Sequence, residues 1–152
     1  SEFVVGYVRR QIDLANLKAF LRLRKIEASQ ELASQVFLPD GTISREQLLR
    51  LFSQPISAAA EEFDIYPVGE LFRKGVELCQ KPGGIAELER LCDNDLMDYV
   101  RGAKYVSYGV EPLVGYLFAK ENEFKSLKII LAGKMAGLTP ERIRERLRES
   151  YV

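Results

Sequence analysis

The chain has 152 residues, of which 47% are hydrophobic and 29% charged, the mixture of an ordinary soluble globular protein. Lys plus Arg and Asp plus Glu both number 22, and a formal net charge of zero argues against a dedicated nucleic-acid or anionic-membrane binder. Histidine is absent and Cys79 and Cys92 lack a second pair, so the commonest general base, the commonest metal ligand and a disulfide framework are all excluded.

Helix-forming patterns begin with residues 8–27, which contain no Gly or Pro and are apolar nearly all round. A shorter helix is predicted at about residues 30–37, followed by the loop LPDGTIS at residues 38–44. Ser44 then caps a helix, and Pro55 opens another that runs to Phe63. Every one of these segments has helical rather than alternating periodicity.

The second half of the chain continues in the same way. Amphipathic helices are predicted at residues 68–80 and 85–104, separated by the stop signal KPGG. Gly109 and Pro112 mark the entry to a long helix that ends near Ala136, and a last helix starts at Thr139. We therefore predict an all-α fold.

The two longest helices contain a repeat, because DLANLKAFLRLRK (13–25) aligns with EFKSLKIILAGKM (123–135). Further along, after loops of different length, Ser44 aligns with Thr139 as the cap of a second helix. The sequence therefore predicts helical lobes built from a repeated unit, a long helix followed by a capped helix. Residues 1–108 would form the first lobe, and residues 109–152 would start a second unit that packs on the first lobe or on residues absent from this chain.

The stretch LAGKMAGLTPERIRERL (131–147) has the spacing of a helix-turn-helix, so a DNA-binding or regulatory domain using residues 131–147 is one alternative function. Four arginines follow the turn, but Glu141, Glu145 and Glu149 form a stripe of carboxylates that phosphate would repel. Pairs such as Glu141 with Arg144 and Glu145 with Arg148 favour a solvated or protein-facing helix. An unrelated helical adaptor is the other alternative.

A family resemblance extends from Ile12 to Leu147. IDLANLKAFLRLRK, the loop LPDGTIS and GVEPLVGYLFAKENEFKSLKIILAGKMAGLTPERIRERL resemble the C subunit of archaeal and bacterial V-type (A-type) ATP synthases, a relative of the vacuolar d subunit. Members of that family are longer and have three similar helical lobes. This sequence looks like their C-terminal part, and Ser1–Phe3 looks like vector-derived residues.

The resemblance implies a non-catalytic, cytoplasmic rotor part that sits at the membrane without spanning it. Its partners would be the central-shaft subunits and the membrane proteolipid ring, and it would transmit torque for ion transport. It implies no cofactor, no metal, no catalytic residue and no nucleic-acid partner.

Charged side chains on the two long helices are the candidate structural or partner-facing positions. A basic face on the first helix could contact acidic loops of a partner, and charges on the second could fix the register of its hairpin. The candidates are Asp13, Arg22, Arg24, Lys120, Glu121, Glu123 and Lys134. If part of the fold is missing, uncovered apolar faces predict self-association of the chain.

Overall fold

A computed structural model describes residues 1–148, and in this range the protein contains eight α-helices, one short 3₁₀ helix and no strand. The predicted all-α class is therefore confirmed. The helices are α1 (Glu2–Lys25), α2 (Gln30–Val36), α3 (Arg45–Phe52), α4 (Ile56–Phe63), α5 (Gly69–Leu78), α6 (Gly84–Arg101), α7 (Glu111–Met135) and α8 (Pro140–Glu145), with the 3₁₀ helix at Gly102–Tyr105.

Helix boundaries depart from the sequence-based expectation at three places. The first helix begins at Glu2 rather than at residue 8 and continues through Gly6, which lies against the ring of Tyr99 where a side chain would not fit. The helix predicted to reach residue 104 ends at Arg101 and tightens into the 3₁₀ turn. The last helix is only six residues long, and Glu149 of the predicted carboxylate stripe lies outside the described residues.

Hydroxyl side chains start three of the helices. The side chain of Ser44 accepts a hydrogen bond from the backbone N–H of Gln47 at 3.2 Å, and the Gln47 side chain accepts one from the Ser44 N–H at 3.1 Å. This capping box satisfies two backbone donors at the start of α3 that have no partner inside the helix. Ser29 and Thr139 cap α2 and α8 through single bonds of the same kind.

The chain divides into two compact units. The first, Val8–Glu89, is called here the inner unit, and the second, which combines Ser1–Tyr7 with the described residues from Arg90 onward, is called the terminal unit. The predicted first lobe at residues 1–108 and the predicted start of a second repeat unit at residues 109–152 stay predictions.

The inner unit is organised around Phe20 of α1, which is fully buried. Its ring meets those of Phe52, Phe63 and Phe72 edge-on, with centroids 5.2–5.5 Å apart, and stacks on Phe37 at 5.9 Å. Edge-to-face pairs of this kind add stabilisation beyond the area they bury. The loop after α2 and helices α3, α4 and α5 are thereby attached to one point on α1.

The terminal unit has a smaller aromatic core. Tyr7 meets Phe118 of α7 edge-on at 5.9 Å, and Phe3 stacks on Tyr99 of α6 at 5.2 Å. The Tyr99 hydroxyl donates to the Phe3 carbonyl at 3.0 Å, so its polar end is satisfied where its ring is packed. These contacts attach the first turns of α1 to α6 and α7.

The hairpins α1–α2 and α7–α8 end their first helices in the same way. Ala28 N–H bonds to the Leu23 carbonyl at 2.9 Å, and Leu138 N–H bonds to the Gly133 carbonyl at 2.9 Å. These are the long bonds of a Schellman motif, and the residue with positive φ is Glu27 (φ 51) in one hairpin and Gly137 (φ 68) in the other. Each residue of the first hairpin lies 110 positions before its counterpart in the second: Ala28 before Leu138, Leu23 before Gly133, and Glu27 before Gly137.

The constant offset also corrects the expected alignment of the second helices. Thr139 lies 110 positions after Ser29, and each hydroxyl caps the helix that follows its Schellman turn. Ser44, which was expected to correspond to Thr139, caps the next helix, α3. Sequence spacing alone misled because all three caps precede short amphipathic helices.

The two hairpins place their large and small residues in opposite order on the two helices. In α7–α8 the small residue is Gly133, where an added Cβ would lie 2.7 Å from Cγ1 of Ile143. At the corresponding positions α1 carries the buried Leu23 and α2 the buried Ala33. The exchange keeps the combined side-chain volume similar, and it supports a common hairpin geometry.

Candidate functional site

Asp13 is buried inside the inner unit, with 4% of its surface exposed. Its Oδ1 accepts hydrogen bonds from the backbone N–H groups of Thr42 at 2.8 Å and Ile43 at 3.3 Å. Gly41 packs directly on the same carboxylate, where a larger residue would collide with it. The carboxylate therefore holds the turn of the LPDGTIS loop against the middle of α1.

Asn16, one turn further along α1, holds the start of the same loop. Its side-chain amide donates to the Leu38 carbonyl at 2.9 Å and accepts from the Leu38 N–H at 2.8 Å. Sequence reasoning missed Asn16. The signal available was a polar residue inside the apolar face formed by Leu14, Leu17 and Leu21, which must find a hydrogen-bond partner when it is buried.

Arg24 and Arg22 are also engaged within the inner unit. Arg24 Nη1 donates to the Phe52 carbonyl at 2.9 Å, and its guanidinium lies 5.7 Å from the Phe52 ring centroid. This arrangement satisfies a carbonyl at the C-terminus of α3. Arg22 forms an ion pair with Glu89. The predicted basic face on α1 is thus partly used for internal contacts.

Four candidates lie on exposed positions of α7, in the terminal unit: Lys120, Glu121, Glu123 and Lys134. Lys120 Nζ lies 2.8 Å from Glu123 Oε2 and 5.7 Å from the centroid of the Tyr116 ring. The hydrogen bond to Glu123 raises the pKa of Lys120. The pair is exposed, so it contributes little to stability.

The exposed side of α7 carries an apolar stripe, which consists of Leu113, Leu117, Phe124, Leu127 and Leu131. Between 52% and 64% of each of these side chains is exposed. The helix buries Gly115, Phe118 and Asn122 instead. The helix α7 is therefore apolar on two sides, of which the protein covers one. A stripe of this kind is typical of an interaction surface.

The structure does not support the helix-turn-helix alternative, because the helix after the turn is short and partly buried. The helix α8 has six residues, and Ile143 in its middle is buried. Glu141 lies 4.0 Å from Arg144, as expected, but Arg148 pairs with Asp93 of α6 at 2.8 Å rather than with Glu145. The basic residues after the turn are thus partly occupied by protein carboxylates.

An open groove of about 280 Å³ lies beside Cys79 in the inner unit. Leu21, Ile56 and Val76 form its apolar walls, and Arg24 also lines it. Burial raises the pKa of the Cys79 thiol, and nearby Lys25 and Arg22 offset this only in part. A thiol in this setting stays protonated at neutral pH and is a weak nucleophile.

Residues 1–148 contain neither a metal-binding cluster nor a membrane-spanning helix. No group of three or more His, Cys, Asp or Glu side chains is placed to hold a metal ion. Within the same residues, none of the helices combines the length and the apolar character that crossing a bilayer requires.

The packed helices, internally paired charges and exposed stripe define the class of protein as all-α, with an apolar surface on α7. Comparison with known proteins names the family: the model described as "ATP synthase (C/AC39) subunit" matches residues 1–146. The chain belongs to the ATP synthase (C/AC39) subunit family, whose members are non-catalytic subunits of the rotary ATPase. The resemblance seen in the sequence is thereby confirmed.

Individual relatives carry consistent names. The C subunit of the A-type ATP synthase of Methanothermobacter thermautotrophicus is 28% identical over 138 residues, which cover 89% of this chain and 36% of the relative. That of Methanobrevibacter smithii is 29% identical over 154 aligned positions, 97% of this chain and 39% of the relative. The C subunit of the V-type sodium ATPase of Enterococcus hirae is 26% identical over 140 residues, which cover 92% of this chain and 42% of the relative.

The chain spans well under half the length of these curated relatives, between 36% and 42%. A search of solved structures found no significant match.

Proposed function

We propose that the protein works as a non-catalytic rotor component of a rotary V/A-type ATPase. It would link the central shaft to the membrane proteolipid ring on the cytoplasmic side and transmit torque for ion transport. The observation that carries this proposal is the family match over residues 1–146. The names of the relatives supply the kind of machine, an A-type ATP synthase or a V-type sodium ATPase.

The packing of the inner unit supports a mechanical role. One buried carboxylate and one buried amide join α1 to the loop, and one arginine joins α1 to α3. Twisting α1 relative to the loop and α3 would break these bonds and separate the Phe20 ring from that of Phe52. Because buried groups left unpaired are costly, the unit resists such deformation, which a torque-transmitting part requires.

Exposed charges on α7 are proposed to contact the rotor partners. Glu121 and Lys134 lie on the exposed surface of this helix, near the apolar stripe. Mixed charge around an apolar centre is the usual composition of a protein interface. The charges Asp13, Arg22 and Arg24 have internal partners, so their proposed role is structural.

Retention of purified partners on the immobilised chain tests the function. Central-shaft subunits and a detergent-solubilised proteolipid ring from a V/A-type ATPase would be applied separately, with duplex DNA in a parallel binding assay. We expect retention of the ATPase subunits and no salt-dependent DNA binding. Retention should fall in Lys134→Glu but not in Lys81→Glu, which makes the same charge change on the exposed turn after α5 of the inner unit. DNA binding without retention of either partner would contradict the proposal.

A further inference from the structure

The open groove beside Cys79 in the inner unit, called here the Cys79 groove, is a surface that the proposed function does not use. Its apolar walls come from three helices, since Leu21 lies on α1, Ile56 on α4 and Val76 on α5. Burial raises the pKa of the Cys79 thiol, so this side chain adds a neutral and weakly polar surface. The walls therefore suit the apolar part of a ligand.

Lys25 adds a positive charge that has no counter-ion. Its side chain is exposed and lines the groove. Among residues 1–148, the ammonium group of Lys25 has neither an ion pair nor a hydrogen bond. Burial has the largest effect on the pKa of Cys79, and the charge of Lys25 offsets part of it. The field of Lys25 thus extends into the groove.

Arg24 is held in place and still has free donors. Its Nη1 donates to the Phe52 carbonyl at 2.9 Å, which fixes the side chain. A guanidinium group has five N–H donors, and this is the only hydrogen bond of the Arg24 side chain within the described residues. Glu27 lines a different, polar pocket together with Arg24, and none of the side chains that line the Cys79 groove is acidic.

Charge and size together indicate the class of ligand. An apolar chain that ends in a carboxylate would pack on the walls and accept charge-assisted hydrogen bonds from Lys25 and Arg24. The volume of about 280 Å³ accommodates about nine non-hydrogen atoms at roughly 30 Å³ each, which is the size of a short fatty acid. A peptide fits less well, because Gln80 is the only lining side chain with a strong acceptor for peptide N–H groups.

We propose that the Cys79 groove binds a small apolar carboxylate, a free fatty acid of about eight carbons. Its acyl chain packs against Leu21, Ile56 and Val76, and its carboxylate accepts hydrogen bonds from Lys25 and Arg24. Binding is non-covalent and covers the Cys79 thiol. The inference goes beyond the proposed rotor function and does not depend on it.

The probe is octanoate, and the measured quantity is the rate at which iodoacetamide alkylates Cys79. At about pH 8.5 part of the thiol is ionised while lysine stays protonated. Cys92 is only 1% exposed, so mass spectrometry of the digested chain should find the modification at Cys79. We expect octanoate to slow alkylation at least fivefold at saturation, with a Kd of about 1 mM or tighter. Octanamide has the same shape without the charge and should bind at least about fivefold more weakly.

Three variants identify the groups that bind the ligand, each compared with its own rate without ligand. Lys25→Gln should weaken octanoate binding by about three- to tenfold and change octanamide binding by less than about twofold. Lys74→Gln is the matched control, because it makes the same charge change at an exposed position of α5 that does not line the groove. Val76→Phe fills the groove and should abolish protection by both ligands in a chain that circular dichroism shows to be folded.

The proposal is wrong if octanoate at about 20 mM does not slow alkylation of the folded chain. Equal protection by octanamide would show that the cations do not select the ligand, and octanoate binding unchanged in Lys25→Gln would show the same. Protection that persists in Val76→Phe would place the ligand elsewhere. Stronger protection by an acidic, leucine-containing peptide than by octanoate would make a protein segment the occupant.

Discussion

Asp13 shows how one side chain can fix the geometry of a loop and a helix together. The carboxylate lies in the middle of α1, and the residues that it binds belong to the turn 29 and 30 positions later. A charged acceptor inside the protein makes strong bonds with backbone donors, and its loss leaves those donors without partners. The position of the loop therefore depends on this carboxylate as well as on the apolar packing around it.

Replacement of Asp13 by Ala should lower the free energy of unfolding by about 2–3 kcal/mol, because the Thr42 and Ile43 N–H groups lose their acceptor. Urea denaturation followed by circular dichroism measures the change. Glu61→Ala removes an exposed carboxylate from α4 of the same unit and should change the free energy by less than about 0.5 kcal/mol. Equal effects of the two substitutions would show that the Asp13 bonds are unimportant.

Glu62 should make stability depend on pH in a defined direction. Its bidentate pair with Arg50, at 2.6 and 3.1 Å, lowers the pKa of Glu62 below its ordinary value. The folded state thus binds the proton less readily than the unfolded state, so the contribution is present at neutral pH and is lost as pH falls through the lowered pKa.

The urea midpoint of Glu62→Gln should therefore fall less steeply than that of the parent between pH 6 and pH 3, measured at matched ionic strength. Glu61→Gln, one residue away on the exposed surface, controls for the loss of one negative charge from the same helix. The effect is small because the pair is exposed and screened by salt. A parental profile in Glu62→Gln would contradict the assignment.

At the scale of the helix, the two Schellman turns use different residues for the same backbone conformation. Gly137 adopts positive φ without a steric penalty, whereas Glu27 adopts φ 51 with a side chain. Glu27→Gly should therefore raise the free energy of unfolding by about 0.5–1 kcal/mol, measured by thermal or urea denaturation. Glu27→Ala keeps a Cβ and should give no such gain, so an equal gain in both variants would implicate the charge instead.

The hairpin α7–α8 depends on the absence of a side chain at Gly133. A valine there would collide with Ile143, which an added Cβ would approach to 2.7 Å, so α8 should separate from α7. We expect this overpacking to destabilise the hairpin by about 1–3 kcal/mol. Hydrogen exchange in residues 140–145 should then become faster. The double variant Gly133→Val with Ile143→Ala should recover most of the protection. No recovery would show that the collision is elsewhere.

Helices and caps could be predicted from the sequence because their causes are local. Ser44 and Thr139 act on backbone donors within three residues, and the stop at KPGG needs no tertiary information. Asp13 could be singled out by the repeat, but its burial depends on a turn that only the folded chain brings near. The partner of Arg148 was missed for the same reason, since Asp93 is 55 residues away.

Periodicity also could not decide which face of α7 is covered. Apolar residues occur on both sides of this helix, and the buried side is selected by Phe118 meeting Tyr7. Tyr7 belongs to the first turns of α1, which the sequence-based boundary left outside that helix. An error of six residues at one helix end thus removed the contact that defines the core of the terminal unit.

At the scale of the whole molecule, surface charge and the apolar stripe together determine how readily copies of the chain associate. The formal net charge is zero and the sequence pI is about 6.4, so electrostatic repulsion between copies is weak near neutral pH. A partner on α7 would cover the stripe, and without it we expect weak face-to-face self-association. Light scattering should show it most strongly near pH 6.4 and less at pH 8.5.

Leu127→Lys should suppress this association, because it places a charge in the centre of the stripe. Ala132→Lys adds the same charge to the exposed surface of α7 outside the stripe and should have a smaller effect. If the parent is monomeric at high concentration throughout this pH range, or if both variants act equally, the stripe is not the cause of association.

The exchange of large and small residues between the hairpins has a consequence for how the chain avoids misfolding. A hybrid of α1 with α8 would bring Leu23 and Ile143 into one space, and a hybrid of α7 with α2 would leave a void between Gly133 and Ala33. Each wrong combination is disfavoured by overfilling or by a cavity, typically by about 1–3 kcal/mol. The two hairpins, whose turns and caps are held by the same kinds of hydrogen bond, can therefore each select their own second helix during folding.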